Sequence, residues 1–212
     1  MTKKLLIPLL LASALSGGCK PAAYLLYTLW PGLHEKDVKA EYAELSGKTV
    51  AVVVYVDKRT EFEYPEVRQT VSGAVMGRLA EHVKDVNVVE PYRVVKYQDE
   101  NIYWDEMDKT ELGKAFGADC VLFISLLEFT TREPGSQNLY RGRITAQASL
   151  YKVALPERKA RVWKGQDIKV RYPETDPTGE PRESDRVIRE MTERLFAEDL
   201  VKKFYDHKVP IE

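Results

Sequence analysis

The chain has 212 residues, with 32 basic and 33 acidic side chains and a formal charge of −1. At 44% hydrophobic and 31% charged residues it is globular in composition, and long enough to bury a core without disulfides or a structural metal. The charge balance argues against a dedicated nucleic-acid binder, which draws its affinity from phosphate neutralisation. Two cysteines and three histidines leave little material for a zinc site.

The N-terminus reads as an address. Lys3 and Lys4 precede an apolar stretch from Leu5 to Leu15, broken only by Pro8 and Ser13, and then Ser16, Gly17, Gly18 and Cys19. A basic start, a short apolar segment and small residues before a cysteine form a signal-peptide layout, too short to span a bilayer as a mature helix. The pattern resembles the lipobox of bacterial lipoproteins, in which that cysteine receives lipid and becomes the new N-terminus. One departure is that Leu15 lies four residues before Cys19, where the usual pattern puts leucine at three. Ala12-Ser13-Ala14 offers an ordinary cleavage site as the competing reading. The expected organisation is a signal peptide over 1–18, a lipidated tether over 19–46 and a single domain over 47–207. Cleavage before Cys19 removes Lys3 and Lys4 and no acid, taking the charge from −1 to −3. Residues 22–30 are apolar with interfacial aromatics and either lie on the lipid surface or pack back on the domain.

Val50 to Val56 is a run of β-branched and aromatic residues, expected as a buried strand. Pro65 suits the first turn of a helix on which Val67, Val71, Val75, Leu79 and Val83 form one apolar stripe, flanked by Ala74 and Ala80. A short strand follows at Val86–Val89. Val94–Tyr97 reads equally as a short strand or a helical turn, and Asp99 to Asp105 as loop. Asp108-Lys109-Thr110-Glu111 is a capping box that opens a short helix, and Gly117 is its left-handed stop. Cys120 to Phe129 is a long apolar strand, in which Cys120 reads as a small buried hydrophobe.

Glu133 to Ser136 is turn chemistry. Ile144, Ala146, Ala148 and Leu150 alternate with polar neighbours. Pro156 to Lys159 turns the chain, and Ile168, Val170 and Tyr172 return it. After a loop from Pro173 to Pro181, Ser184 caps a last amphipathic helix. The order is β-α-β-α-β-β-β-α, an α+β fold with a mixed sheet and antiparallel hairpins, covered by two long helices and one short one. The first crossover is expected to be right-handed if its strands are parallel.

Lys48 to Val53, and Glu111 to Leu122 with its Gly-Ala-Asp turn, resemble the first strand and a later helix–turn–strand of the CsgG-like family. That group includes the curli secretion component CsgG, the penicillin-binding-protein activator LpoB and the amino-terminal domain of TolB. The resemblance covers roughly residues 47–206 and implies a shared α/β domain more than any activity. No stretches are left over for the membrane hairpins of a pore, and the long linker of LpoB-type activators is missing. The nearest likeness is to uncharacterised predicted lipoproteins.

No catalytic set of acid, base and nucleophile can be nominated, and His34, His82 and His207 are scattered. Neither an enzyme, a cofactor nor a metal is expected. Two surfaces are candidates for a ligand or interface. Tyr103 and Trp104 lie among Asp99, Glu100, Asp105, Glu106 and Asp108, a composition that suits a sugar or a cation as well as a plain solvated loop. Residues 139–171 carry nine basic side chains, Arg141 and Arg143 among them, against Glu157 and Asp167, a net +7. These suit anionic headgroups or an acidic partner, or serve to keep a sheet edge from aggregating. Trp163, if exposed there, would mark an interface. The expected function is a non-enzymatic lipoprotein of the cell envelope, anchored through Cys19 in the cell membrane or outer membrane and facing the periplasm or exterior. It would act as an assembly or protein-interaction module, with other envelope proteins or copies of itself as partners and no nucleic acid. The alternative is an envelope polysaccharide- or peptidoglycan-binding lipoprotein using the Tyr103–Trp104 loop, and an enzyme of unknown class comes third.

Overall fold

The computed structural model describes residues 35–136, 138–175 and 185–211. Cys19, the leader, residues 22–30, His34, Ser184 and the later part of the Pro173–Pro181 loop lie outside the described residues. The chain divides into two compact units, one of Lys39–Asp206 and one that joins residues up to Val38 with those from His207 onward. In the latter, strand β1 (Glu35–Val38) pairs antiparallel with the last strand of the chain, β8 (His207–Pro210), in the register Glu35↔Pro210 to Val38↔His207. These short charged segments lack the alternation that would have announced them as strands.

The larger unit is α+β. Its elements are β2 (Thr49–Tyr55), α1 (Lys58–Glu63), α2 (Val67–His82), β3 (Asn87–Val88), α3 (Pro91–Glu100), α4 (Lys109–Phe116), β4 (Cys120–Arg132), β5 (Tyr140–Lys152), α5 (Glu157–Ala160), β6 (Arg161–Lys164), β7 (Ile168–Tyr172) and α6 (Asp185–Val201). The six-stranded sheet runs β3-β2-β4-β5-β6, with β7 on the same edge of β5 as β6. β3, β2 and β4 are parallel, while β4, β5 and the β6–β7 edge are antiparallel.

Both faces of the sheet are covered. Val50, Val52 and Val54 of β2 and Cys120, Leu122 and Ile124 of β4 pack under α2 and α6. Their alternates Ala51, Val53 and Val121 pack under α3 and α4, with Val94, Leu112 and Phe116. This two-sided burial is why β2 reads as a continuous apolar run instead of alternating. The chain steps from β2 to β3 with α2 on one face, then back past β2 to β4 with α3 and α4 on the other. Reversing both direction and face keeps the hand of the crossover constant, as the right-handed rule requires.

Several local expectations need adjusting. The helix expected from Pro65 starts at Val67, after a turn, and Ala80 is exposed although the stripe Val67–Val71–Val75–Leu79 is buried. The ambiguous segment around Val94 is helix: Pro91 takes its first turn, and Val94 and Gln98, one turn apart, are buried. The compact unit starts before residue 47, because Leu45 is fully buried. The returning edge of the hairpin is two strands, with a break after Lys164 where Gly165 N–H still donates to Ala148 O.

The Gly-Ala-Asp turn ties α4 to the sheet. Gly117 adopts φ 67°, ψ 30°, and the Ala118 N–H returns to Gly113 O. The Asp119 carboxylate accepts the Thr49 N–H at 2.8 Å, while its own N–H donates to Thr49 O, setting β2 beside β4. The cap at the other end is carried by Asp108, which accepts from Thr110 N, while Glu111 is exposed. A Cβ at residue 117 would meet nothing within 4 Å, so Gly117→Ala tests backbone conformation alone. It is expected to cost about 1 kcal/mol, and Gly117→Asn less, since asparagine tolerates the left-handed region. Urea midpoints of the two variants against the parent check this; equal losses would refute it.

Candidate functional site

In an open sheet with parallel strands, the place where connections leave in opposite directions opens a crevice at the strands' carboxyl ends. Here β3 lies on one side of β2 and β4 on the other, so the crevice falls beyond Tyr55. A cleft of about 240 Å³ occupies it, lined by Tyr55, Lys58, Glu61, Arg68, Gln98 and Asp105 among others. Asp57 builds its near lip by accepting from the N–H groups of Arg59 (2.9 Å) and Thr60 (3.0 Å), which starts α1. None of the six residues of α1 is buried.

Arg68, on the first turn of α2, forms the back wall. It is 9% exposed, and its Nη2 is 2.5 Å from Glu61 of α1 and 2.6 Å from Asp99 of α3. This one guanidinium therefore clamps α1 and α3 together. Gln98 is 3% exposed and donates through Nε2 to Val54 O at 3.0 Å, tying α3 to the end of β2. Two polar atoms in this wall, Arg68 Nε and Gln98 Oε1, are buried with no hydrogen-bond partner among the described residues. Leaving such groups unpaired costs about 1–3 kcal/mol each, so each calls for an explanation.

The structure separates the two aromatics of the acidic loop. Trp104 is buried between Tyr55 (6.1 Å between ring centres) and Phe123 (6.5 Å), so it supports the wall and offers no free face for a sugar. Ile102, which lines the cleft, is 82% exposed, and its neighbour Tyr103 72%. Phe62 of α1 is 86% exposed, and Leu127 lies on the part of β4 that runs past its pairing with β2. Lys109 sits over the Phe123 ring at 4.6 Å, and its burial lowers the pKa of its amine.

The basic hairpin is less basic in space than in sequence. Arg143 pairs with Glu128 at 2.9 Å and lies 3.5 Å from Glu133; Arg141 is buried, 3.7 Å from Glu133. Lys152 pairs with Glu44 at 2.6 Å. Trp163 is buried, not exposed: its ring meets Phe204 edge-on at 5.0 Å and its Nε1 donates to Glu41 at 2.9 Å. Glu41 also accepts from Lys203, and that bond holds its carboxyl below the usual range. Trp163 thus fastens the edge strand to the end of α6. Cys120 is buried in the core, where burial pushes its thiol pKa up. His82 stacks on Tyr205 at 4.6 Å, and His207 lies in β8.

Of the residues expected from sequence to meet a ligand or interface, Tyr103 alone stands exposed beside the cleft. Arg68, Gln98, Glu61 and Phe62 were not foreseen. Nothing in the sequence marks Arg68: it follows Val67 of the apolar stripe, but Ala80 follows Leu79 in the same way and is exposed. Among the described residues, no group of three metal-ligating side chains could hold a metal ion, and no helix is long and apolar enough to cross a membrane.

No protein-family model matches the chain, and no curated protein matches it. Solved structures similar to it include a PelC dodecamer from Paraburkholderia phytofirmans, 10% identical, with a TM-score of 0.46 over 81% of this chain and 96% of that one. The lipoprotein GNA1162 from Neisseria meningitidis is 16% identical, with a TM-score of 0.43 over 72% of this chain and 97% of that one. A minor lipoprotein from Acinetobacter baumannii is 8% identical, with a TM-score of 0.35 over 74% of this chain and 91% of that one. No residue role passes from these proteins to this chain.

Proposed function

We propose that this chain is a lipid-anchored protein of the bacterial cell envelope, and that its α+β unit is a non-enzymatic module for assembly or protein interaction. The observation that carries the anchor is the order Lys3-Lys4, Leu5–Leu15, Ser16-Gly17-Gly18-Cys19. Acyl chains contribute about 0.8 kcal/mol per buried methylene, so more than one attaches a domain firmly without a basic patch. The interaction half is supported by Phe62, Ile102, Tyr103 and Leu127, large apolar side chains that stand exposed. The partners are other envelope proteins or further copies of the chain. A glycan-binding reading keeps Tyr103 but loses Trp104 as a stacking platform.

Cys19→Ser is expected to move the protein from the membrane fraction to the soluble one and to abolish incorporation of labelled palmitate. Retention in the membrane with no label in the parent chain would refute the anchor. Formaldehyde treatment of intact cells is expected to trap the parent in complexes larger than one chain. A parent that stays monomeric under those conditions would refute the interaction module.

A further inference from the structure

We infer that the cleft at the carboxyl end of β2 receives an extended, apolar and basic polypeptide segment of a partner protein, held through one peptide unit by Arg68 and Gln98. This rests on the interaction-module reading and names the site and the class of partner.

The hydrogen-bond inventory of the wall comes first. Gln98 Nε2 is committed to Val54 O, which leaves Oε1 as an acceptor, and the guanidinium is committed through Nη2, which leaves Nε–H as a donor. The wall therefore lacks one donor and one acceptor, and a peptide unit carries one of each. Both atoms are sealed from solvent, so a ligand reaches them only as the Arg68 clamp loosens. α1 is the element able to give: it buries none of its residues, and its Glu61 is one of the two carboxylates on Arg68.

The rim selects the class of ligand. Of the residues that line the cleft, Ile102 is the large apolar side chain left almost fully exposed, at 82%. An aliphatic side chain gains from being covered by apolar side chains, so the mouth takes an apolar residue of the incoming segment. The loop 99–106 holds Asp99, Glu100, Asp105 and Glu106 and no basic residue; with Asp99 paired to Arg68 and Lys58 also lining the cleft, the approach keeps a net negative charge that favours lysine or arginine in the incoming segment. A cleft of about 240 Å³ is small against the 300–1,000 Å³ of sites that enclose a drug-sized ligand. It suits one or two residues of a longer chain that continues over the rim.

The test pans a random heptapeptide display library against the full chain held in lipid nanodiscs, with empty nanodiscs as the control. The expected result is enrichment of sequences that combine two or more apolar residues with a lysine or arginine. Their synthetic peptides should bind at least tenfold more weakly to Gln98→Leu, and also to Asp105→Asn and Ile102→Ser. The last two alter exposed side chains, so they probe the rim with the fold intact even if Gln98→Leu is unstable. Absence of enrichment, or equal binding by the rim variants, would overturn the assignment. So would displacement of the peptides by a peptidoglycan-derived disaccharide, which would hand the cleft to a glycan. Cross-linked complexes in cells that survive the rim substitutions would sink the cleft and leave the interaction module standing; loss of all complexes from the parent would sink the module itself.

Discussion

Gly142→Ala is expected to destabilise the protein by about 3 kcal/mol, the upper part of the usual range for overpacking a filled core. A Cβ at this position of β5 would fall on Thr192 Oγ1 and lie 2.8 Å from Thr192 Cβ, where α6 crosses the sheet. Thr192 cannot turn aside cheaply. It is 1% exposed, and its hydroxyl donates to Ile188 O at 2.6 Å within the same helix. The missing side chain of Gly142 is thus the space that Thr192 fills. Thr192→Ala removes Oγ1 and Cγ2 but leaves the Cβ, so in the double variant it should restore part of the loss, not all. Urea denaturation of the two single variants and the double variant measures this coupling. Gly142→Ala within about 0.5 kcal/mol of the parent would show that Thr192 and α6 give way to the added methyl group at little cost.

The contrast between Gly142 and Gly117 explains which parts of this fold can be read from the chain. Gly117 announces itself, because its role is local: it follows a capped helix and precedes a strand, and its backbone angle follows from that position. Gly142 sits between Arg141 and Arg143 in an ordinary strand pattern, and its role depends on a helix fifty residues later. The same division holds elsewhere. The buried stripe of α2, the alternation of β5 and the apolar β4 are periodic and were legible. α3 was ambiguous because Val94-Val95 suits either period, and burial of Val94 with Gln98 on one face decides for helix. Trp104 was misplaced because carboxylates surround it in sequence, while in space it turns inward to Tyr55 and Phe123. Trp163 reads either way from the sequence, and in space Phe204 and Glu41 hold it inward. The cleft itself joins residues from α1, α2 and α3, with Arg68 and Asp99 31 positions apart. No single window of sequence contains it.

Glu193→Gln is expected to stabilise the protein at alkaline pH and to leave it nearly unchanged in acid. Glu193 lies on α6 against α2, 5% exposed, and accepts from Thr70 Oγ1 at 2.7 Å. Burial raises its pKa from 4.5 to about 7, against the hydrogen bond from Thr70 and the charge of Arg189, which lower it, while Glu190 adds to the rise. Below pH 4.5 the carboxyl is protonated in both the folded and the unfolded chain, and its contribution is unaffected by pH. Between 4.5 and about 7 the unfolded chain releases the proton while the folded chain keeps it, so folding loses about 1.4 kcal/mol for each pH unit. Above 7 both forms are ionised and the loss levels off at roughly 3 kcal/mol. Glutamine keeps the acceptor for Thr70 and never ionises, so the variant escapes this loss. Urea midpoints of both proteins at pH 4, 5.5, 7 and 8.5 should therefore diverge as pH rises, with the variant above. Other groups titrate alike in the two chains and cancel in the difference. Parallel curves would show that the carboxylate is solvated between the helices. A gap that opens as expected shows that the ionised Glu193 carboxylate, held between α2 and α6, costs the whole fold stability as the pH climbs through neutrality.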